Sequence, residues 1–275
     1  MDSITQSIQE TRVFVAGATG AIGRRLCPLL VAAGYTVYGT TRSPARALLL
    51  EQQGVRPLVV DVYDASKLAA AVQEAAPHVV IHQLTDLPPG LDPARMHQGR
   101  LDNARIRHEG TRNLVAAIAS FISPSNPSNS ASSNDTANPS DNANYNSNHN
   151  SNGITLIAQS IAFGYAASGN STQLELTEEA PLASPALHAF EQQVLNAPVQ
   201  TAIVLRYGIL YGPGSGFDLP TGNSCAIHVD AAADAAMRAI TAGQSGIYNI
   251  TDDNGAVSNA KAKSLLLWNP DIRFP

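Results

Sequence analysis

The sequence predicts an α/β protein: a doubly wound parallel sheet with helices on both faces. Three observations predict it. Short apolar runs alternate with helical patterns in strict β-α-β order over the first 82 residues, and parallel strands joined by crossover helices satisfy that alternation. Ala, Val, Leu and Ile carry the apolar content while aromatics make up 5% of 275 residues, as expected of strands buried on both faces. A glycine-rich turn, Gly17-Ala18-Thr19-Gly20-Ala21-Ile22-Gly23, falls between the first strand and the first helix, where a Rossmann-type fold binds a dinucleotide.

The elements follow in order. Arg12 to Ala16 reads as a buried strand. Ala21 to Ala33 has helical spacing and stops at Gly34. Thr36 to Thr40 is the second strand, and Ser43 caps a helix that ends at Gly54. Leu58 to Asp61 is the third strand, Asp64 caps the helix Ala65 to Ala76, and Val79 to His82 is the fourth strand. A helix spans Ala104 to Phe121. Residues 123–153 are almost entirely Ser, Asn, Pro, Asp and Ala, so they are expected to be a disordered insertion. Strands then recur at Ile154 to Ala158, Ala202 to Leu205 and Ile247 to Ile250. Helices fall at Pro185 to Leu195, at Ala231 to Thr241 behind an Asp230 cap, and at Ser258 to Leu267, with Trp268 docking on the core. The whole of 1–275 is read as one dinucleotide-binding domain.

Charge and cysteine usage exclude several classes. The net charge of -5 and the lack of any basic run give no reason to expect nucleic acid or an anionic membrane. No apolar run is long enough to cross a bilayer, and the polar start Met1 to Ser7 is unlike a signal peptide. Cys27 and Cys225 stand far apart in no metal-like spacing, so they read as reduced thiols of a cytoplasmic protein, and no metal is expected.

In the glycine turn, Gly17 permits the tight bend, Gly20 lets backbone approach a pyrophosphate, and Gly23 lets the helix pack closely on the sheet. Thr19, Ala21 and Ile22 complete the cofactor-binding turn. An NAD site usually has a carboxylate after the second strand. Here that region reads Thr40-Thr41-Arg42-Ser43, and Arg42 suits a 2′-phosphate, so NADP(H) is expected over NAD(H). Asp61 with Val62 would either meet an adenine amino group or serve only a turn.

Taken together, several motifs resemble the short-chain dehydrogenase/reductase superfamily, in its extended or atypical branch, the NAD-dependent epimerase/dehydratase family. They are Thr19 to Gly23, Val79 to His82, Glu109-Gly110-Thr111-Arg112-Asn113-Leu114, Leu205 to Gly214, Ile227 to Asp230, Gly246 to Ile250 and Leu266 to Pro270. The resemblance implies that His82, Gln83 and Leu84 lie along the nicotinamide half of the cofactor. It also implies that Ser160 matches the family's catalytic Ser/Thr and polarises a substrate oxygen.

The chain departs from that family in two places. With Glu191 aligned to the glutamate that follows the family's Tyr-x-x-x-Lys, Ala183 and Leu187 fill the Tyr and Lys positions. Neither can transfer a proton, whereas the lysine of the intact pair tunes the tyrosine for that task. Tyr165 is the candidate substitute donor, against the reading of a loop aromatic over the cleft. Secondly, only Ser215 to Ala226 separate the Gly-Pro-Gly motif from the following helix. The substrate lobe, from about residue 207 to 275, is therefore expected to be reduced, and nucleotide sugars are not expected to fit. The expected activity is an NAD(P)-dependent oxidoreductase, or an epimerase/dehydratase-like enzyme, acting on a small organic molecule. The alternatives are an NADP(H)-binding sensor or a non-redox isomerase or cyclase. A homodimer is compatible with the sequence.

Overall fold

A computed structural model describes residues 11–123, 153–166, 175–221, 225–253 and 256–275. The N-terminal segment Met1 to Ser7 and residues 124–152 of the Ser/Asn-rich insertion lie outside the described residues.

Seven parallel strands form the main sheet. They are β1 (Arg12–Ala16), β2 (Thr36–Thr41), β3 (Arg56–Val59), β4 (Val79–His82), β5 (Thr155–Ile161), β6 (Thr201–Tyr207) and β9 (Gly246–Ile250). Their order is β3-β2-β1-β4-β5-β6-β9. Two short strands, β7 (Ile209–Tyr211) and β8 (Ala226–His228), pair beside it. On one face pack α1 (Gly23–Ala32), α2 (Pro44–Gln52) and α7 (Val229–Ala242). On the other pack α3 (Ala65–Ala75), α5 (Thr111–Ile122) and α6 (Pro185–Leu195). The strand order reverses direction on either side of β1, which opens a crevice at the carboxyl ends of β1 and β4.

The elements form where local chemistry favours them. Ser43, Asp64 and Ser184 cap α2, α3 and α6 through their side chains. The alanines at 231, 232, 233, 235, 236 and 239 are all fully buried, which lets α7 lie close against α1. Trp268 docks as expected, its indole N–H donating to the Ala231 carbonyl at 2.8 Å. No described helix is long and apolar enough to cross a membrane.

Four features differ from the sequence reading. The helix expected from Ala104 begins at Met96: α4 (Met96–Arg105) runs into a π turn (Ile106–Gly110) and then α5. Only Gly99 and Asn103 of α4 are buried, so its polar sequence carries no apolar periodicity to read. β3 ends at Val59, two residues before Asp61. α7 is capped by His228, whose Nδ1 accepts the Asp230 N–H, while the Asp230 carboxylate pairs with Arg25 instead. Much of 207–275 belongs to the main layers as α7 and β9, leaving the β7–β8 pair and the 212–221 segment beside the cleft.

Candidate active site

The crevice opens into a cleft of about 1800 Å³. Its floor is the glycine turn. Gly17 has φ +90°, and a Cβ there would fall 2.6 Å from the Gln83 carbonyl oxygen. A Cβ on Gly23 would fall 2.4 Å from the Gly17 oxygen. The turn is held from β2, where Thr40 Oγ1 accepts the Gly17 N–H at 3.1 Å. Gly17, Thr19, Gly20, Ala21 and Ile22 line the cleft at the start of α1, and Gly23 is buried beneath them. This cradle of bare backbone at a helix start is what a pyrophosphate requires. The residues present therefore fit a dinucleotide.

The β2 end of the cleft carries Arg42, the cationic group expected there, and also Arg46. Arg42, Ser43 and Arg46 line it. Arg42 is not free, however. Its guanidinium forms a two-pronged pair with Asp86 at 2.8 and 3.4 Å, from the loop after β4. Asp61 does not line the cleft. It is exposed, and its Oδ1 accepts the Tyr63 N–H at 3.0 Å, the contact of a turn aspartate. Val62 does line the cleft, and its carbonyl is fixed by Asn113 Nδ2 at 3.0 Å.

At the ends of β4, β5 and β6 the environment changes. His82 lies below the cleft, 1% exposed. Its Nδ1 accepts the Leu84 N–H at 3.2 Å, which leaves the proton on Nε2, 2.8 Å from Thr111 Oγ1. Burial pulls its pKa down to about 4, so it is neutral and structural at physiological pH. Gln83 and Leu84 line the cleft. Gln83 Nε2 reaches Tyr207 Oη at 3.4 Å, and its Oε1 is buried with no hydrogen-bond partner among the described residues. An orphaned buried acceptor of this kind is what a ligand amide or hydroxyl would satisfy. Tyr207 is pushed above the ordinary phenol pKa by burial, so it keeps its proton.

The two residues expected to be catalytic are both engaged within the fold. Ser160 reaches the cleft, but its hydroxyl donates to Glu191 Oε1 at 2.6 Å. In this arrangement its proton is directed to Glu191. Tyr165 does not line the cleft. Its hydroxyl donates to Asn249 Oδ1 at 2.6 Å and accepts from Arg206 at 2.9 Å. Both are tied to a buried ion pair, Glu191 with Arg206, whose side chains are 1% and 3% exposed. Ala183 and Leu187 likewise do not line the cleft; Leu187 is buried in the core. Gln159, which the sequence reading passed over, does line it, with Nε2 donating to the Leu84 carbonyl at 3.4 Å. The signal was its place at the carboxyl end of a parallel strand, where a doubly wound sheet meets its ligand.

Comparisons with known proteins agree with this architecture. A family model described as the NAD dependent epimerase/dehydratase family matches residues 13–153. A Streptomyces protein named 3-diazoavenalumate denitrifying reductase is 32% identical over 273 residues, covering 89% of this chain and 77% of that protein. The UDP-glucose 4-epimerase of Thermus thermophilus, solved with NAD, superposes with a TM-score of 0.65 at 18% identity, over 96% of this chain and 95% of that one. The UDP-glucose 4-epimerase of Thermotoga maritima, solved with UDP-glucose, gives 0.66 at 15% identity, over 95% and 94%. At those identities the two solved structures speak to the fold alone.

Proposed function

The chain belongs to the NAD dependent epimerase/dehydratase family and is an NAD(P)-dependent oxidoreductase-like enzyme, and from that premise we propose that it reduces a small organic substrate whose reduction needs no proton from the protein. The observation that carries this reading is the proton inventory at the ends of β4 to β6. By the family alignment Ala183 and Leu187 would stand where the Tyr and Lys are, Ser160 and Tyr165 are tied to the Glu191–Arg206 pair, Tyr207 holds its proton more tightly than an ordinary phenol, and His82 is neutral and buried. When bound, the reduced nicotinamide supplies a hydride. Gln83 and Gln159 orient ligand groups through their amides, and Tyr207 closes the inner wall.

An aryl diazonium is the acceptor class that suits such a site. It takes a hydride at its terminal nitrogen or ring carbon and loses dinitrogen. The hydride cancels the cation's charge, and the arene forms with no net proton uptake. The 3-diazo substrate named for the Streptomyces relative belongs to that chemistry. A nucleotide sugar, in contrast, would have to be accommodated in the short 212–221 segment. NADP(H) is the cofactor favoured by Arg42, Ser43 and Arg46, provided Arg42 exchanges Asp86 for a 2′-phosphate. The same reading puts the protein in the cytoplasm, where the buried thiols of Cys27 and Cys225, both pushed up to about 12 by burial, stay reduced.

The test is turnover with benzenediazonium and NADPH deuterated on either face, beside a protein-free control. Deuterium from one face in the arene, with cofactor oxidation well above the control, is the expected result. Tight cofactor binding without oxidation across diazonium, carbonyl and enoyl acceptors would transfer the case to the sensor or the non-redox enzyme.

A further inference from the structure

Arg107 is a cation that the folded chain leaves uncompensated. It lies in the π turn Ile106–Gly110, lines the cleft and is half-buried, with its guanidinium desolvated. Among the described residues its guanidinium has no hydrogen bond or ion pair. The other cleft arginines differ. Arg42 holds Asp86, and Arg24 holds the Gly214 carbonyl. Arg46, Arg95 and Arg100 are exposed to water. Glu191 acts on Arg107 through space, but that carboxylate already accepts two bonds from Arg206 and one from Ser160 and is paired with Arg206.

Desolvating a guanidinium without a partner is unfavourable unless an anion completes it. Burial accordingly pulls its pKa below the usual arginine value. The backbone around it shows how it is held. Ile106 and Gly110 are buried, with Val62 in contact at Gly110, and Thr111 is buried against His82. A π turn inserts one residue into a helix, and such insertions concentrate at functional positions. Arg107 is the charged residue of this turn that reaches the cleft.

We propose that Arg107 anchors a carboxylate on the substrate, making this a site for small organic acids. The proposal rests on the reductase reading for where the reacting end lies. A planar guanidinium pairs with a planar carboxylate through two parallel bonds, geometry that an ammonium does not offer. The cofactor's own anion has its cradle elsewhere, at the glycine turn after β1. Arg107 lies instead in the electrostatic range of His82 and Glu191, at the β4 and β5 side.

The experiment measures binding and needs no turnover, so it stands or falls separately from the diazonium assay. Benzoate and cinnamate, beside benzamide and cinnamamide, are titrated into the protein–NADPH complex by calorimetry. The wild type is expected to bind the acids about tenfold or more tightly than the amides, a difference of ~1.4 kcal/mol. Arg107→Gln should erase that preference and leave the Kd for NADPH unchanged, while Arg107→Lys retains part of it. The ligand-free Arg107→Gln protein should also melt at a higher temperature than the wild type, because an uncompensated desolvated charge has gone. Equal binding of acids and amides by the wild type, or an acid preference that survives Arg107→Gln, overturns the proposal. Loss of NADPH affinity in Arg107→Gln with the acid preference intact overturns it as well, and assigns the guanidinium to the cofactor.

Discussion

Ser160 Oγ donates to Glu191 Oε1 at 2.6 Å, and through that carboxylate it is joined to the buried guanidinium of Arg206. The serine near the end of β5 therefore supports an ion pair between α6 and β6 at the edge of the cleft. Two variants separate these roles. Glu191→Ala strands Arg206 in the core and should destabilise the fold by about 3–5 kcal/mol. Ser160→Ala removes one bond from a carboxylate that keeps two others, at about 1 kcal/mol, with turnover within a fewfold of wild type. Urea unfolding and steady-state rates check both. A loss of turnover of two orders of magnitude in a well-folded Ser160→Ala protein would restore the serine to the chemistry.

Tyr165→Phe follows the same logic. Its hydroxyl bridges Arg206 and Asn249 and does not reach the cleft. The variant should lose about 1–2 kcal/mol of stability, as for a hydrogen bond to a charged group, and show an unchanged pH profile of turnover. A displaced acidic or basic limb in that profile would show that the phenol does exchange a proton.

His82 makes folding pH-dependent. Its pKa is about 4 in the fold and 6.5 as an ordinary histidine, so the unfolded chain binds the proton more readily. The stability tied to neutral His82 is complete above about pH 6.5 and is lost as pH falls toward about 4, an amount on the order of 3 kcal/mol. In His82→Gln, which keeps a donor for Thr111 without titrating, the drop over that interval should be shallower than in wild type. Parallel curves from urea unfolding at stepped pH would remove His82 as the cause.

Under the proposed NADP(H) reading, a 2′-phosphate would compete with Asp86 for Arg42. Arg42→Ala should abolish the preference for NADPH over NADH, worth roughly 1–3 kcal/mol for a charge-assisted contact. Asp86→Asn should enlarge it, because the guanidinium no longer has a rival anion. Calorimetry with both cofactors reads this directly. If Asp86→Asn weakens NADPH binding, Asp86 positions Arg42 and does not compete for it.

Gly17→Ala tests the cradle itself. The positive φ and the 2.6 Å approach to the Gln83 carbonyl leave no room for a methyl group. Binding of either dinucleotide should fall by more than about tenfold while the sheet persists by circular dichroism. An alanine variant that binds normally would mean the turn is not the pyrophosphate site.

What the sequence revealed was whatever local pattern determines. Helix α6 was read residue for residue because Ser184 caps it, Pro185 suits its first turn, and Leu187, Phe190 and Val194 fall on one face. The glycine turn was equally plain, since only glycine tolerates those contacts. Helix α4 escaped because a polar helix lying over a cleft buries almost nothing. The partners of Arg42, Ser160 and Tyr165 escaped for a different reason: they are 44, 31 and 41 to 84 residues away. Such meetings depend on how helices lie across the sheet, and no local spacing encodes them.

The position of β4 within the sheet has a consequence in time. All four of its residues are buried, and its outer edge is completed only by β5. On a ribosome, β5 is finished about 80 residues after His82, which at roughly 5–20 residues per second is an interval of roughly 4–16 seconds. For those seconds the nascent chain carries β1 to β4 with a bare apolar strand edge, a template for pairing with other chains. The Ser- and Asn-rich run emerges during the same interval. The edge is closed once residues 155–161 pair with it.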